Sequence, residues 1–156
     1  MREILSTFMI LNLNLSTDML LSNSEVNPKN LSPVTLAFVG DAVYSLMIRE
    51  KLVASCDMPA DRLHKLSARR VSAVAQNKAV NAIMEHLSEE ELAVFKRGRN
   101  AATKHTAKHA SSKEYHYATG FEALIGYLYL SERMQRIEEL FSLAEAARAV
   151  EEAQAK

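Results

Sequence analysis

Residues Tyr115 to Leu130 read YHYATGFEALIGYLYL. Apolar side chains dominate this stretch without the polar–apolar alternation of a half-buried strand, and the run is too long for an ordinary strand. It reads as a strongly apolar helix. The rest of the chain follows the same logic. Ser32-Pro33 supplies an N-cap with proline at the first helical position. Leu36, Phe38, Val39, Ala42, Val43, Leu46, Met47 and Leu52 then carry an apolar face to about Ser55. Asp57-Met58-Pro59 closes that helix and opens a second pattern running to Leu87, with an expected break near Ser67. Ser88 with Glu91 three residues on fits a capping box, and the short helix it starts is expected to end near Gly98. Residues 99–112 read as a long polar loop, and 132–150 as a final amphipathic helix. The expected fold is all-α.

Composition agrees. Four glycines and three prolines in 156 residues leave few helix breakers. The length suits one domain, with residues 1–30 as an extension, read as a helical segment plus a polar linker, before a body over 31–150. Residues 1–21 are apolar, but Glu3, Asn12 and Asn14 interrupt them and no small-residue cleavage site follows, so a secretion signal is not expected. Met19 offers an alternative start. No run is long enough to span a membrane, and the single cysteine, Cys56, points to a reducing, cytoplasmic setting.

Nineteen basic residues balance nineteen acids, which as a total argues against a polyanion partner. The distribution says otherwise. Residues 62–78 contain Arg62, Lys65, Arg69, Arg70 and Lys78 and no acid; residues 96–113 contain Lys96, Arg97, Arg99, Lys104, Lys108 and Lys113 and no acid. Glu85, Glu89, Glu90 and Glu91 fall between them. The blocks fit either solvated faces or a phosphate-binding surface. His105 and His109 are spaced for zinc on a helix, but their lysine-flanked loop suits phosphate contacts better.

Two acids stand in apolar surroundings: Asp41 in AFVGDAVY (37–44) and Glu122 in GFEALIGY (120–127). A buried carboxylate needs a cation, a donor network or a shifted pKa. Mid-helix Gly40 and Gly126 suggest close backbone approach beside both acids. Together the acids could hold a Mg²⁺ ion that keeps most of its waters; separately they could pair with Arg or Tyr groups.

Phe38-Val39-Gly40-Asp41-Ala42-Val43 resembles the signature helix of ribonuclease III, and Phe121-Glu122-Ala123-Leu124-Ile125-Gly126 resembles that family's second acidic motif. Leu63-His64-Lys65, Val71-Ser72-Ala73, Lys96-Arg97-Gly98-Arg99-Asn100 and Tyr117-Ala118-Thr119 resemble the mini-ribonuclease III subfamily in order and spacing, over roughly residues 31–141. The resemblance implies an all-α endonuclease fold and a homodimer. It implies Mg²⁺-dependent cleavage of double-stranded RNA that leaves a 5′-phosphate, with the stems bracketing 23S ribosomal RNA precursor as substrate. It also implies that no separate double-stranded-RNA-binding domain follows. Asp41 and Glu122 fall on the family's essential acids, and Phe38 on an aromatic that contacts the partner subunit. Larger ribonucleases III carry further acids where this chain has Val34, Ala37 and Thr119, so a second metal held wholly by protein is not expected. Lys96, Arg97, Arg99, Asn100, Lys104 and Lys108 are the first RNA-binding candidates; Lys65, Arg69 and Arg70 come second. Stimulation by a ribosomal protein is a further expectation left open, and a non-catalytic RNA-binding module in ribosome assembly is the rival reading.

Overall fold

The computed structural model describes residues 26–102 and 111–155. They form six α-helices: α1 (Pro33–Ser55), α2 (Ala60–Arg70), α3 (Ala73–Ile83), α4 (Glu89–Ala101), α5 (Ser112–Leu130) and α6 (Met134–Gln154). Single 3₁₀ turns occupy Pro28–Asn30 and Met84–His86, and no strand occurs among the described residues. The fold is all-α, as the sequence predicts.

Side-chain caps set the boundaries. Ser32 Oγ accepts from the Thr35 N–H at 3.1 Å and starts α1. Ser88 and Glu91 close the expected capping box at α4. Ser111 and Glu114 form a second box at α5, across the end of the 99–112 stretch that reads as a polar loop from sequence. Each reciprocal pair satisfies donors that the first helical turn leaves unpaired.

Two expected boundaries move. The break after α2 falls at Val71-Ser72, not near Ser67. Ser67 is buried within α2, whereas the Ser72 hydroxyl accepts from Ala75 N–H and begins α3. The second concerns Gly98, which does not end its helix; α4 runs on to Ala101. The glycine serves close packing instead, since a Cβ there would come within 2.5 Å of the Ala123 Cβ.

Helix α5 is the centre of the molecule. Its residues 118–121 and 123–128 are buried, and α1, α3, α4 and α6 all pack around it. A helix apolar on every side is stable in water only when neighbours cover every side. Tyr44 meets Phe121 edge to face at 4.9 Å between ring centres, which ties α1 to this core.

Candidate active site

The site grows from the crossing of α1 and α5. A Cβ placed on Gly40 would fall 1.8 Å from the Glu122 carbonyl oxygen, and one placed on Gly126 would fall 1.9 Å from that of Leu36. Only paired glycines let the backbones touch here. The crossing therefore brings Asp41, next to Gly40, beside Glu122. The expected close approach at both glycines is what the fold contains.

The acids differ in setting. Glu122 is half-buried, but Asp41 is exposed, contrary to the expectation that both are enclosed. Helix α1 buries Leu36, Ala37, Gly40, Tyr44, Ile48 and Leu52, which turns Asp41 outward. Burial, together with the negative charge of Asp41, pushes the Glu122 carboxyl up to about 7, and the Gln76 amide partly opposes the rise. Among the described residues neither acid has an Arg, Lys or Tyr partner, so separate pairing is not what holds them. Nor do three or more His, Cys, Asp or Glu groups converge among those residues. Two neighbouring carboxylates with no cation partner among the described residues suit a hydrated divalent ion, because Mg²⁺ is commonly held by one or two carboxylates and its own waters.

The enclosed acids lie elsewhere. Glu91 is wholly buried and accepts from Arg136 at 2.9 Å and Arg133 at 3.2 Å. Glu145 is buried and paired with Arg70, Arg148 and Lys51. Both are saturated by cations and act as structural ties between helices.

The basic residues separate into two groups. Lys96, Arg97 and Asn100 are exposed on the turn of α4 that carries Gly98 against α5. Arg99 lies over Phe95 and Tyr117, about 6 Å from each ring centre (6.0 and 5.9 Å), and donates to Asn100 Oδ1. Lys65 and Arg69 are exposed, although Lys65 stands 3.7 Å from Asp61. Arg70 is turned inward to Glu145, which removes it from the solvent-facing set. Lys104, Lys108, His105 and His109 lie outside the described residues.

Phe38 is 81% exposed, the most exposed of the large apolar side chains among the described residues, with Val34, Leu46 and Val53 also outward on α1. Sequence reasoning does not find Gln76, a buried amide beside Glu122; its apolar surroundings along α3 are its only signal.

Comparison with known proteins identifies the family. Residues 34–133 match the family model of the ribonuclease III domain. A mini-ribonuclease 3 of Thermoanaerobacter sp. (strain X514) is 46% identical over 128 residues, 80% of this chain and 90% of the relative. That of Brevibacillus brevis is 48% identical over 118 residues, 76% of this chain and 88% of the relative. A crystal structure of a Fusobacterium nucleatum protein superposes with a TM-score of 0.69 at 29% identity, covering 76% of this chain and 95% of that one. With its glycine-paired helices and two converging acids inside the matched region, the chain belongs to the ribonuclease III family, in its mini-ribonuclease 3 branch.

Proposed function

We propose that this endoribonuclease is a Mg²⁺-dependent enzyme of the cytoplasm that cleaves double-stranded RNA and matures the ends of 23S ribosomal RNA precursor. The observation that carries the reading is the approach of Asp41 to Glu122 at the Gly40–Gly126 crossing, with no cation from the described residues paired to either. In this reading the two acids hold the ion. Mg²⁺, when bound, acidifies water and offsets charge on the scissile phosphate. Asp41, being exposed, meets the RNA side; Glu122, half-buried, is held by the packing of α5. Hydrolysis adds water across the P–O bond and leaves a 3′-hydroxyl and a 5′-phosphate.

The duplex is held by surface charge. A-form RNA is recognised through phosphates, 2′-hydroxyls and shape, which the exposed Lys96, Arg97 and Asn100, with Arg99 beside them, are suited to contact. Lys65 and Arg69, exposed on α2, are a second group of RNA contacts in this reading, and Lys104 and Lys108 belong to the same proposal. The outward apolar stripe of α1, with Phe38 near its N-terminal end, supports a homodimer, since exposed aromatic side chains grouped with aliphatic ones mark association surfaces.

The test is a cleavage assay on a duplex stem built from the ends of 23S precursor, with and without Mg²⁺. Metal-dependent cuts bearing 5′-phosphates support the proposal. Tight binding of the stem with no cleavage at any Mg²⁺ concentration supports the non-catalytic module instead.

A further inference from the structure

Gln76 sits in α3, a helix packed against both α5 and α6. It is 1% exposed, yet neither its amide nitrogen nor its amide oxygen has a hydrogen-bond partner among the described residues. Buried polar side chains are nearly always paired, and one left unpaired carries a desolvation cost with nothing in return. Leucine or methionine would fill a similar volume without it. The amide is therefore out of place as packing. Its polar neighbour is the Glu122 carboxyl on α5, the helix that α3 packs against, and no hydrogen bond between them is closed. Hydrogen bonds in catalytic sites are commonly long in the free protein and tighten when the site is loaded.

We propose that Gln76 is a positioning residue of the two-carboxylate site, its amide N–H donating to one Glu122 oxygen so that the other oxygen shares a divalent cation with Asp41. This rests on the reading of Asp41 and Glu122 as the ion-holding pair. The rest of the Glu122 surroundings supports it. The side chain comes from a helix that apolar neighbours cover, and Asp41, across the crossing, repels the carboxylate instead of anchoring it. Without Gln76 no group among the described residues fixes where the Glu122 oxygens point. Residues that orient a metal ligand are worth roughly 10- to 100-fold in metal affinity or activity.

The experiment compares the full chain with Gln76→Leu and Gln76→Met. Mn²⁺ affinity is measured by calorimetry on the protein alone, melting temperature in EDTA, and cleavage of a duplex stem against Mg²⁺ concentration. Both variants are expected to fold with melting temperatures at or above that of the parent, and to bind Mn²⁺ about 10-fold or more weaker. The Mg²⁺ concentration for half-maximal cleavage rises in step, and duplex binding in EDTA stays unchanged. Parent-like Mn²⁺ affinity in either folded variant overturns the proposal. So does a large fall in melting temperature in both, which would make the amide a structural strut. A parent chain that neither binds Mn²⁺ nor cleaves fails at the earlier step, the two-carboxylate reading itself.

Discussion

Gly40 and Glu122 meet through backbone alone: a single Cβ on Gly40 would stand 1.8 Å from the carbonyl oxygen of Glu122 and 2.7 Å from the amide nitrogen of Gly126. Neither neighbour can swing aside, because both are backbone atoms of the most buried helix. The distance between the acids is thus set by a glycine, not by the acids themselves.

Gly40→Ala follows directly. Alanine gains about 1 kcal/mol of helix propensity, but prying α1 from α5 costs about 1–3 kcal/mol or more in overpacking. A net loss of about 2 kcal/mol is expected in urea denaturation. Cleavage should fall further than stability, because the separation also carries Asp41 away from Glu122. An alanine variant with parental stability and full activity would mean that the helices do not meet as described.

The acids themselves should behave in the opposite way. Asp41→Asn and Glu122→Gln each remove one carboxyl group from a pair that has no cation partner among the described residues. Both are expected to abolish Mg²⁺-dependent cleavage while duplex binding persists. In EDTA at neutral pH both should also be more stable than the parent, by about 1 kcal/mol, since catalytic sites hold charges that folding alone would not select. Denaturation curves read this separately from activity. A less stable Asp41→Asn variant would show that Asp41 supports the fold.

Phe38 gives a prediction about assembly. A side chain 81% exposed contributes little to the protomer's core, so Phe38→Ala should leave secondary structure and protomer folding nearly unaltered. Sedimentation velocity should show the proposed homodimer shifting toward monomer. If the parent chain is itself monomeric at micromolar concentration, the outward stripe on α1 has another use.

The helices, the caps at Ser32 and Ser88, and the two glycine contacts are legible in the amino-acid sequence because all rest on short-range rules. Burial is less legible. Helix α1 is apolar on two faces, one turned to the core and one to solvent, so periodicity alone does not say that Asp41 points outward. Gly98 resembles a helix end because glycine commonly ends helices. Only the position of Ala123 on another helix shows why it sits mid-helix. The buried acids Glu91 and Glu145 each depend on an arginine more than forty positions away in sequence, Arg136 for Glu91 and Arg70 for Glu145, a relation no local motif carries. Gln76 escapes a sequence reading for the same reason.

The basic candidates for RNA contact divide along the same line. Lys96 and Arg97 are exposed with no acid partner among the described residues, so replacing either with Gln should weaken duplex binding. Each lost phosphate contact should also flatten the salt dependence of binding by about one unit of slope. Arg70→Gln should act differently. It leaves the salt slope unchanged and lowers stability, because its guanidinium is spent on Glu145. A changed slope in Arg70→Gln would return that residue to the RNA surface.

Glu145 also predicts how the protein meets acid. Burial by itself raises the Glu145 pKa, but hydrogen bonds from Arg70, Arg148 and Lys51 outweigh it and hold the carboxyl at about 2. The folded value lies below the unfolded one near 4.5, so the unfolded chain binds the proton more readily. Stability from this cluster is therefore complete above pH 4.5 and is lost as the pH falls through about 2. A shift of this size corresponds to about 3 kcal/mol at most, of which the exposed Lys51 supplies the smallest share. Glu145→Gln should flatten this part of the acid denaturation limb while lowering stability at pH 7, where three cations lose their common partner. Melting temperatures recorded from pH 7 to pH 2 for parent and variant check the sign. Curves that stay parallel throughout would show that Glu145 does not hold α6 to α1 and α2 through its charge.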